Sequence, residues 1–111
     1  VRWYHNNRVQ NPEFRMFDPT YEWIEQSLKL SEEILQPEQC ANITTPILLC
    51  QVVHDEWVNP KAQDKFADNI KKAGGDITVV KFEKSMHEIF SMPNPITGTF
   101  LHLVLDYYES H

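Results

Sequence analysis

The sequence predicts an α/β chain built on two parallel strands with flanking helices, and three features carry that expectation. The run Ile47-Leu48-Leu49-Cys50-Gln51-Val52-Val53 is short and nearly all apolar, without period-2 alternation, as a strand covered on both faces would be. Ile77-Thr78-Val79-Val80-Lys81-Phe82 is rich in β-branched and aromatic residues and reads as a second strand. Between them lies a helical pattern with its own start and stop. Strand, helix, strand, helix at these lengths forms a βαβα unit, whose crossover sets the two strands parallel with a right-handed connection.

Each helix has local signals. Asp18-Pro19 pairs a side-chain acceptor with a residue whose fixed φ suits the first helical position, so a helix is expected to start there. Its stripe is Tyr21, Ile24, Leu28, Ser31 and Leu35; Glu22, Glu25, Glu32 and Glu33 fall mostly elsewhere as a solvated face, and Pro37 stops the pattern. Asn59-Pro60 repeats the start signal before Ala62, Phe66, Ile70 and Ala73, and Gly74-Gly75 supplies a left-handed stop. After a loop from Pro93 to Gly98, the residues Phe100, Leu101, Val104, Leu105 and Tyr108 mark a last amphipathic helix.

Composition narrows the function classes. With 111 residues, 41% of them hydrophobic, the chain is one domain at most and long enough for a modest core. Ten Lys plus Arg against sixteen Asp plus Glu give a net charge of -6, which disfavours a nucleic-acid partner. Residues 1 to 17 interleave Arg2, Arg8 and Arg15 with Trp3, Tyr4, Phe14 and Phe17, a mixture seen in single-strand-binding platforms, but the acidic remainder favours a segment laid over a neighbouring surface. The longest apolar stretch, Pro46 to Cys50, is far short of the roughly 20 residues a spanning helix needs. The chain starts at Val1 without a charged-then-apolar leader, and its two cysteines, Cys40 and Cys50, cannot build a disulfide framework. A cytoplasmic protein is expected, at most peripheral to the inner membrane. Asn42-Ile43-Thr44 matches a glycosylation sequon of the sort that arises by chance. Neither His5, His102 and His111 nor the cysteine pair has metal-ligand spacing, so neither metal nor cofactor is expected.

Parallel strands deliver their succeeding loops to one carboxyl edge, where open α/β folds build their sites. Asp55 comes two residues after Val53, and His87 a few residues after Phe82. Adjacent strands are only about 4.8 Å apart, so the topology can bring this carboxylate within hydrogen-bond reach of this imidazole. A carboxylate that accepts from one ring nitrogen fixes the tautomer and stabilises the imidazolium formed when the other nitrogen takes a proton. His54, on the opposite side of the strand's continuation, is not expected to take part, and Glu88 is expected to be a structural hydrogen-bond partner.

The stretch Thr45-Pro46-Ile47-Leu48-Leu49-Cys50-Gln51-Val52-Val53-His54-Asp55-Glu56-Trp57-Val58, followed by a helix, a strand and Ser85-Met86-His87-Glu88-Ile89, resembles the C-terminal end of an α/β-hydrolase. Within that superfamily it is most similar to the bacterial lysophospholipase and monoacylglycerol-lipase branch. The resemblance covers residues 44–110; residues 1–43 resemble more loosely that branch's cap and the return from it. It implies a C-terminal fragment of the fold with an incomplete sheet: a cap-derived segment and helix over 1–43 and the core βαβα unit over 44–111. It further implies that Asp55 and His87 are the acid and the base of a catalytic triad, in the chain order of this fold. Val52 and Val53 stand where relatives commonly have small residues, and Ser91-Met92-Pro93-Asn94-Pro95 replaces the usual acidic residues and arginine. No Gly-x-Ser-x-Gly elbow exists, since the glycines are Gly74, Gly75 and Gly98 and none of Ser27, Ser31, Ser85, Ser91 and Ser110 has that context.

The implied activity is therefore that of a longer protein: hydrolysis of a carboxylic ester of a lipid, lysophospholipid first and monoglyceride second, with the serine supplied upstream. An aminopeptidase of the same fold is the alternative enzyme. From a different class, the chain alone is a non-catalytic interaction module working through its exposed sheet edge. In isolation the chain is expected to be inactive and to self-associate through uncovered apolar faces.

Overall fold

The computed structural model describes residues 6, 7, 9–14 and 18–111. The arginine and aromatic side chains singled out between residues 1 and 17 lie outside the described residues. The chain divides into two compact units, residues 1–30 and 31–111. In the first, the backbone N–H and side-chain amide of Asn11 both donate to the Asn7 carbonyl, at 2.9 and 3.0 Å, ahead of a 3₁₀ turn over Pro12–Phe14.

Helix α1 spans Tyr21–Ile34. Its cap is Thr20 rather than Asp18: the Thr20 hydroxyl accepts from the Trp23 N–H at 3.1 Å, so the helix starts two residues later than the Asp-Pro signal implies. A threonine at the position before the helix does this as well as an aspartate does, its oxygen pairing one of the first-turn N–H groups that have no partner within the helix. Lys29 reaches Glu25 one turn back. None of the α1 stripe is buried; Tyr21, Ile24 and Leu28 all stand exposed. Beyond Pro37 the chain does not simply stop being helical. Pro37–Ala41 forms the short helix α2, which buries Cys40 with its thiol donating to the Ile34 carbonyl at 3.3 Å.

Strands β1, Ile47–Val52, and β2, Ile77–Phe82, pair in parallel in the register Ile47↔Ile77 through Val52↔Phe82. Helix α3, Pro60–Lys72, crosses between them, and helix α4, Asn94–Ser110, follows β2. Strand side chains alternate between the two faces of the sheet. On one face Ile47, Leu49, Ile77 and Val79 pack with Phe66, Ala67 and Ile70 of α3 and with Cys40 and Ile43. On the other, Cys50, Val52, Val80 and Phe82 pack with Ile89 and with Ile96, Phe100 and Leu103 of α4, where the Phe82 and Phe100 rings meet edge to face at 6.3 Å. Helices on both faces explain why β1 is apolar without alternation.

The ends of α3 follow the signals closely. The Asn59 side chain accepts from the Lys61 N–H at 3.0 Å, with Pro60 at the first helical position. At the other end the Gly75 N–H reaches the Ile70 carbonyl at 2.9 Å and the Gly74 N–H the Lys71 carbonyl at 3.0 Å, the two bonds of a Schellman motif. Gly74 has φ of 83°, and a Cβ on Gly75 would sit 2.8 Å from Ile70 Cγ2. The buried stripe of α3 is shifted: Ala67 is in the core and Ala73, in the cap, is exposed.

Two expectations fail at α4. Pro93 to Gly98 is not a loop, because the Pro93 carbonyl accepts from the Ile96 and Thr97 N–H groups at 3.0 and 3.2 Å and Pro95 occupies a first-turn position whose N–H would be unpaired anyway. Thr97 Oγ1 donating to the Met92 carbonyl at 2.6 Å pins that turn, and Gly98 is tolerated inside the helix at a cost of about 1 kcal/mol. The covered face is Ile96, Phe100 and Leu103, whereas Leu101, Leu105 and Tyr108 are exposed. A helix apolar on two faces does not tell which one packs.

Ile70→Ala should destabilise the chain by about 2–5 kcal/mol, and Gly74→Ala by about 1–2 kcal/mol through left-handed strain alone. Urea denaturation checks both values, and Gly75→Ala should lower the midpoint as well because its Cβ displaces Ile70.

Candidate active site

Both parallel strands end at the same rim, and each is followed by a loop that carries a titratable side chain. After Val52 the Val53 N–H still donates to the Phe82 carbonyl at 3.2 Å, so the ladder runs one residue past β1 before the chain turns. The turn needs no left-handed residue: no described residue other than glycine has positive φ. Valines at 52 and 53 are therefore compatible with the turn.

Asp55 sits at the head of this loop and is held on both oxygens. Oδ1 accepts from the Trp57 and Val58 N–H groups at 2.8 and 3.0 Å, which closes the loop on its own side chain. Oδ2 faces His87 Nδ1 at 2.7 Å. The structure thus brings together the two residues singled out from sequence. The Asp55 side chain is 4% exposed, that of His87 43%. Burial alone pushes the Asp55 carboxyl up, but the hydrogen bond from His87, those from the Trp57 and Val58 amides, and the imidazole's charge together hold it below the ordinary aspartate range. An ionised carboxylate on Nδ1 makes that nitrogen the proton donor and leaves Nε2 as the basic one.

The His87 loop is knitted to the start of α4. Ser85, buried, donates from Oγ to the Met86 carbonyl at 2.9 Å; the Met86 N–H meets the Met92 sulfur at 3.4 Å; and Ser91 Oγ donates to Glu88 Oε2 at 3.0 Å across a 3₁₀ turn over Ile89–Ser91. Glu88 thus has a structural partner, and His54 is exposed. Around Asp55 and His87 the loops also present large apolar side chains to solvent: Trp57 is 84% exposed, Met86 73% and Phe90 65%.

Two contributions leave little trace in the sequence. The Trp57 and Val58 donors are backbone groups, indifferent to side-chain type. Gln51, a lone amide in an apolar strand, is 1% exposed, and its Nε2 donates to the Pro60 carbonyl at 2.9 Å and to Asp64 Oδ1 at 3.1 Å. That a single polar residue interrupts a two-faced apolar run was the available signal. Burial raises the Cys50 thiol, which keeps it a poor nucleophile. Among the described residues no cluster of three or more His, Cys, Asp or Glu is arranged to hold a metal ion, and no helix is long and apolar enough to cross a membrane.

A parallel β/α unit with an acid and an imidazole joined at its carboxyl rim is the arrangement of an α/β-hydrolase core. The family model described as serine aminopeptidase, S33, matches residues 4–94, and the chain belongs to that family. It is similar to lysophospholipase L2 of Escherichia coli strain K12, 27% identical over 108 residues, which is 93% of this chain and 31% of the relative. The lysophospholipase L2 of Escherichia coli O6:H1, strain CFT073, matches with the same identity and coverage. The chain thus spans about a third of the length of these curated relatives. No solved structure matches it significantly.

Carboxyl carbon NMR should find Asp55 titrating below about 3.9, the ordinary aspartate value. Because the folded value lies below the unfolded one, the stabilisation from this carboxylate is fully present above the unfolded range and disappears as pH falls through the folded value. An Asp55 midpoint at or above the ordinary value would contradict the hydrogen-bonded geometry.

Proposed function

We propose that this chain is the C-terminal portion of a serine hydrolase that cleaves a carboxylic ester of a lipid, a lysophospholipase, with Asp55 and His87 as two members of its triad. The observation that carries the reading is the 2.7 Å bond between His87 Nδ1 and Asp55 Oδ2. Residues 44–111 supply the core unit with acid and base, and residues 1–43 a cap-derived segment and the helix leading back. The nucleophilic serine and the oxyanion donors belong to the part of the longer protein that precedes this chain.

In that arrangement His87 Nε2 takes the serine proton as the hydroxyl attacks the ester carbonyl, and Asp55 stabilises the imidazolium. The same proton passes to the leaving alcohol as the carbon–oxygen bond breaks. Water, deprotonated by His87, then releases the fatty acid from the acyl-serine, and the proton returns to the serine. Support for a lipid substrate comes from the exposed Trp57, Met86 and Phe90 beside the pair and from the similarity to two lysophospholipases. The family description favours a second reading, an aminopeptidase, which would use the same acid and base on an amide. A cytoplasmic setting fits either.

The longer protein, assayed on lysophospholipid, monoglyceride and aminoacyl amide, should turn over lysophospholipid fastest. Asp55→Asn and His87→Ala should each lower kcat by a factor on the order of 10⁴. Preference for the amide would move the assignment to the peptidase, and full activity in His87→Ala would remove it altogether. The 111-residue chain alone should show no ester turnover. Light scattering should find it as a dimer or larger species, because Leu101, Leu105 and Tyr108 of α4 are uncovered.

A further inference from the structure

We infer that Gln51 is a positioning residue for Asp55, acting as a clamp across the base of the loop that presents the carboxylate. The inference rests on the proposal that Asp55 works with His87. Asp55 lies on the seven residues between Val52, the last of β1, and Pro60, the first of α3. The loop is exposed at Glu56, Trp57, Val58 and Asn59, and exposed loops are the segments that open most readily unless their feet are held. Gln51 supplies the missing constraint. Sitting in β1 one residue before the loop's foot, it donates to the Pro60 carbonyl at the loop's other foot, so the two ends are joined through one buried amide.

The second Nε2 bond extends the clamp. Asp64, one helical turn beyond Pro60, accepts from Gln51 at 3.1 Å and, on the same oxygen, from Lys81 Nζ at 3.2 Å. Lys81 is the register partner of Gln51 on β2, the strand that leads to His87. The strand before the acid and the strand before the imidazole are therefore both tied to the first turns of α3, on the sheet face opposite Val52 and Phe82. The two arms differ in strength. Gln51 is buried, where a polar side chain needs its partners, whereas the Lys81 and Asp64 side chains are 54% and 50% exposed, and exposed ion pairs contribute little. Hydrogen bonds from Gln51 and Lys81 hold the Asp64 carboxyl below its ordinary range, consistent with an ionised acceptor shared by both. The clamp is distinct from Asp55's own bonds to Trp57 and Val58. Those shape the head of the loop, and Gln51 fixes its feet.

Amide hydrogen exchange on the 111-residue chain tests this with Gln51→Met, which keeps the side chain's length and bulk but has no donor. The Trp57 and Val58 amides, held by Asp55, should exchange about tenfold faster, while the strand amides of Ile47 and Val53 stay within about twofold. The Asp55 carboxyl midpoint, read by carbon NMR, should move up as its donors loosen. Lys81→Met should leave all of these nearly unchanged. Should Gln51→Met fail to fold, Asp64→Ala on the exposed side of α3 removes one of the two bonds and should speed the loop amides about threefold. Unchanged loop exchange in either folded variant, equal acceleration of loop and strand amides, or an effect of Lys81→Met as large as that of Gln51→Met would each overturn the assignment. None of these readings requires turnover. A failed clamp would leave the hydrolase reading standing, whereas an inactive longer protein with an intact clamp would count against that reading alone.

Discussion

The parallel pairing of β1 with β2 is the constraint on which the rest depends. Antiparallel pairing of the same strands would send Asp55 and His87 to opposite ends of the sheet, about six residues of strand or ~20 Å apart. Parallel pairing in the register Val52↔Phe82 starts both succeeding loops level with one another. The connection that makes this possible is α3, started by the cap at Asn59 and ended at Gly74-Gly75, since parallel strands need such a crossover.

From that common start the two loops reach each other by different means. The acid loop is organised around its own carboxylate: one oxygen closes the turn through two peptide N–H groups, and the other faces the imidazole. Removing this side chain would therefore disturb loop shape as well as charge. The imidazole loop is held instead from the far side, by the Met92 sulfur, the Ser91–Glu88 contact and the first turn of α4. The Asp55 side chain is buried and held on both oxygens, whereas the imidazole is nearly half exposed.

The apolar surface has two parts with different meanings. Trp57, Met86 and Phe90 are exposed on the very loops that carry the acid–imidazole pair, the surface on which the proposed lipid substrate rests. Leu101, Leu105 and Tyr108 lie along α4 outside its packed face and stand exposed. The chain spans 31% of the length of the lysophospholipases it resembles, and a two-stranded sheet with helices on both faces has an unpaired backbone edge that further strands would satisfy.

Local signals by themselves determined both strands, the start and stop of α3 and the existence of helices after Asp18 and before Tyr108, because caps, proline, paired glycines and unbroken apolar runs act within a few residues. The adjacency of Asp55 and His87 was legible only by adding topology, since 32 residues separate them and nothing local links them. Where neighbouring signals competed, sequence misled: Thr20 rather than Asp18 caps α1, and Pro93 to Gly98 opens a helix although its prolines and glycine read as a loop. Tertiary structure alone decided which face of α4 is covered, that the α1 stripe is uncovered, and that Gln51 is buried and doubly bonded. The physical reason is the same in each case. Capping and turn formation are settled by atoms a few residues apart, whereas burial depends on what another segment brings to the same place.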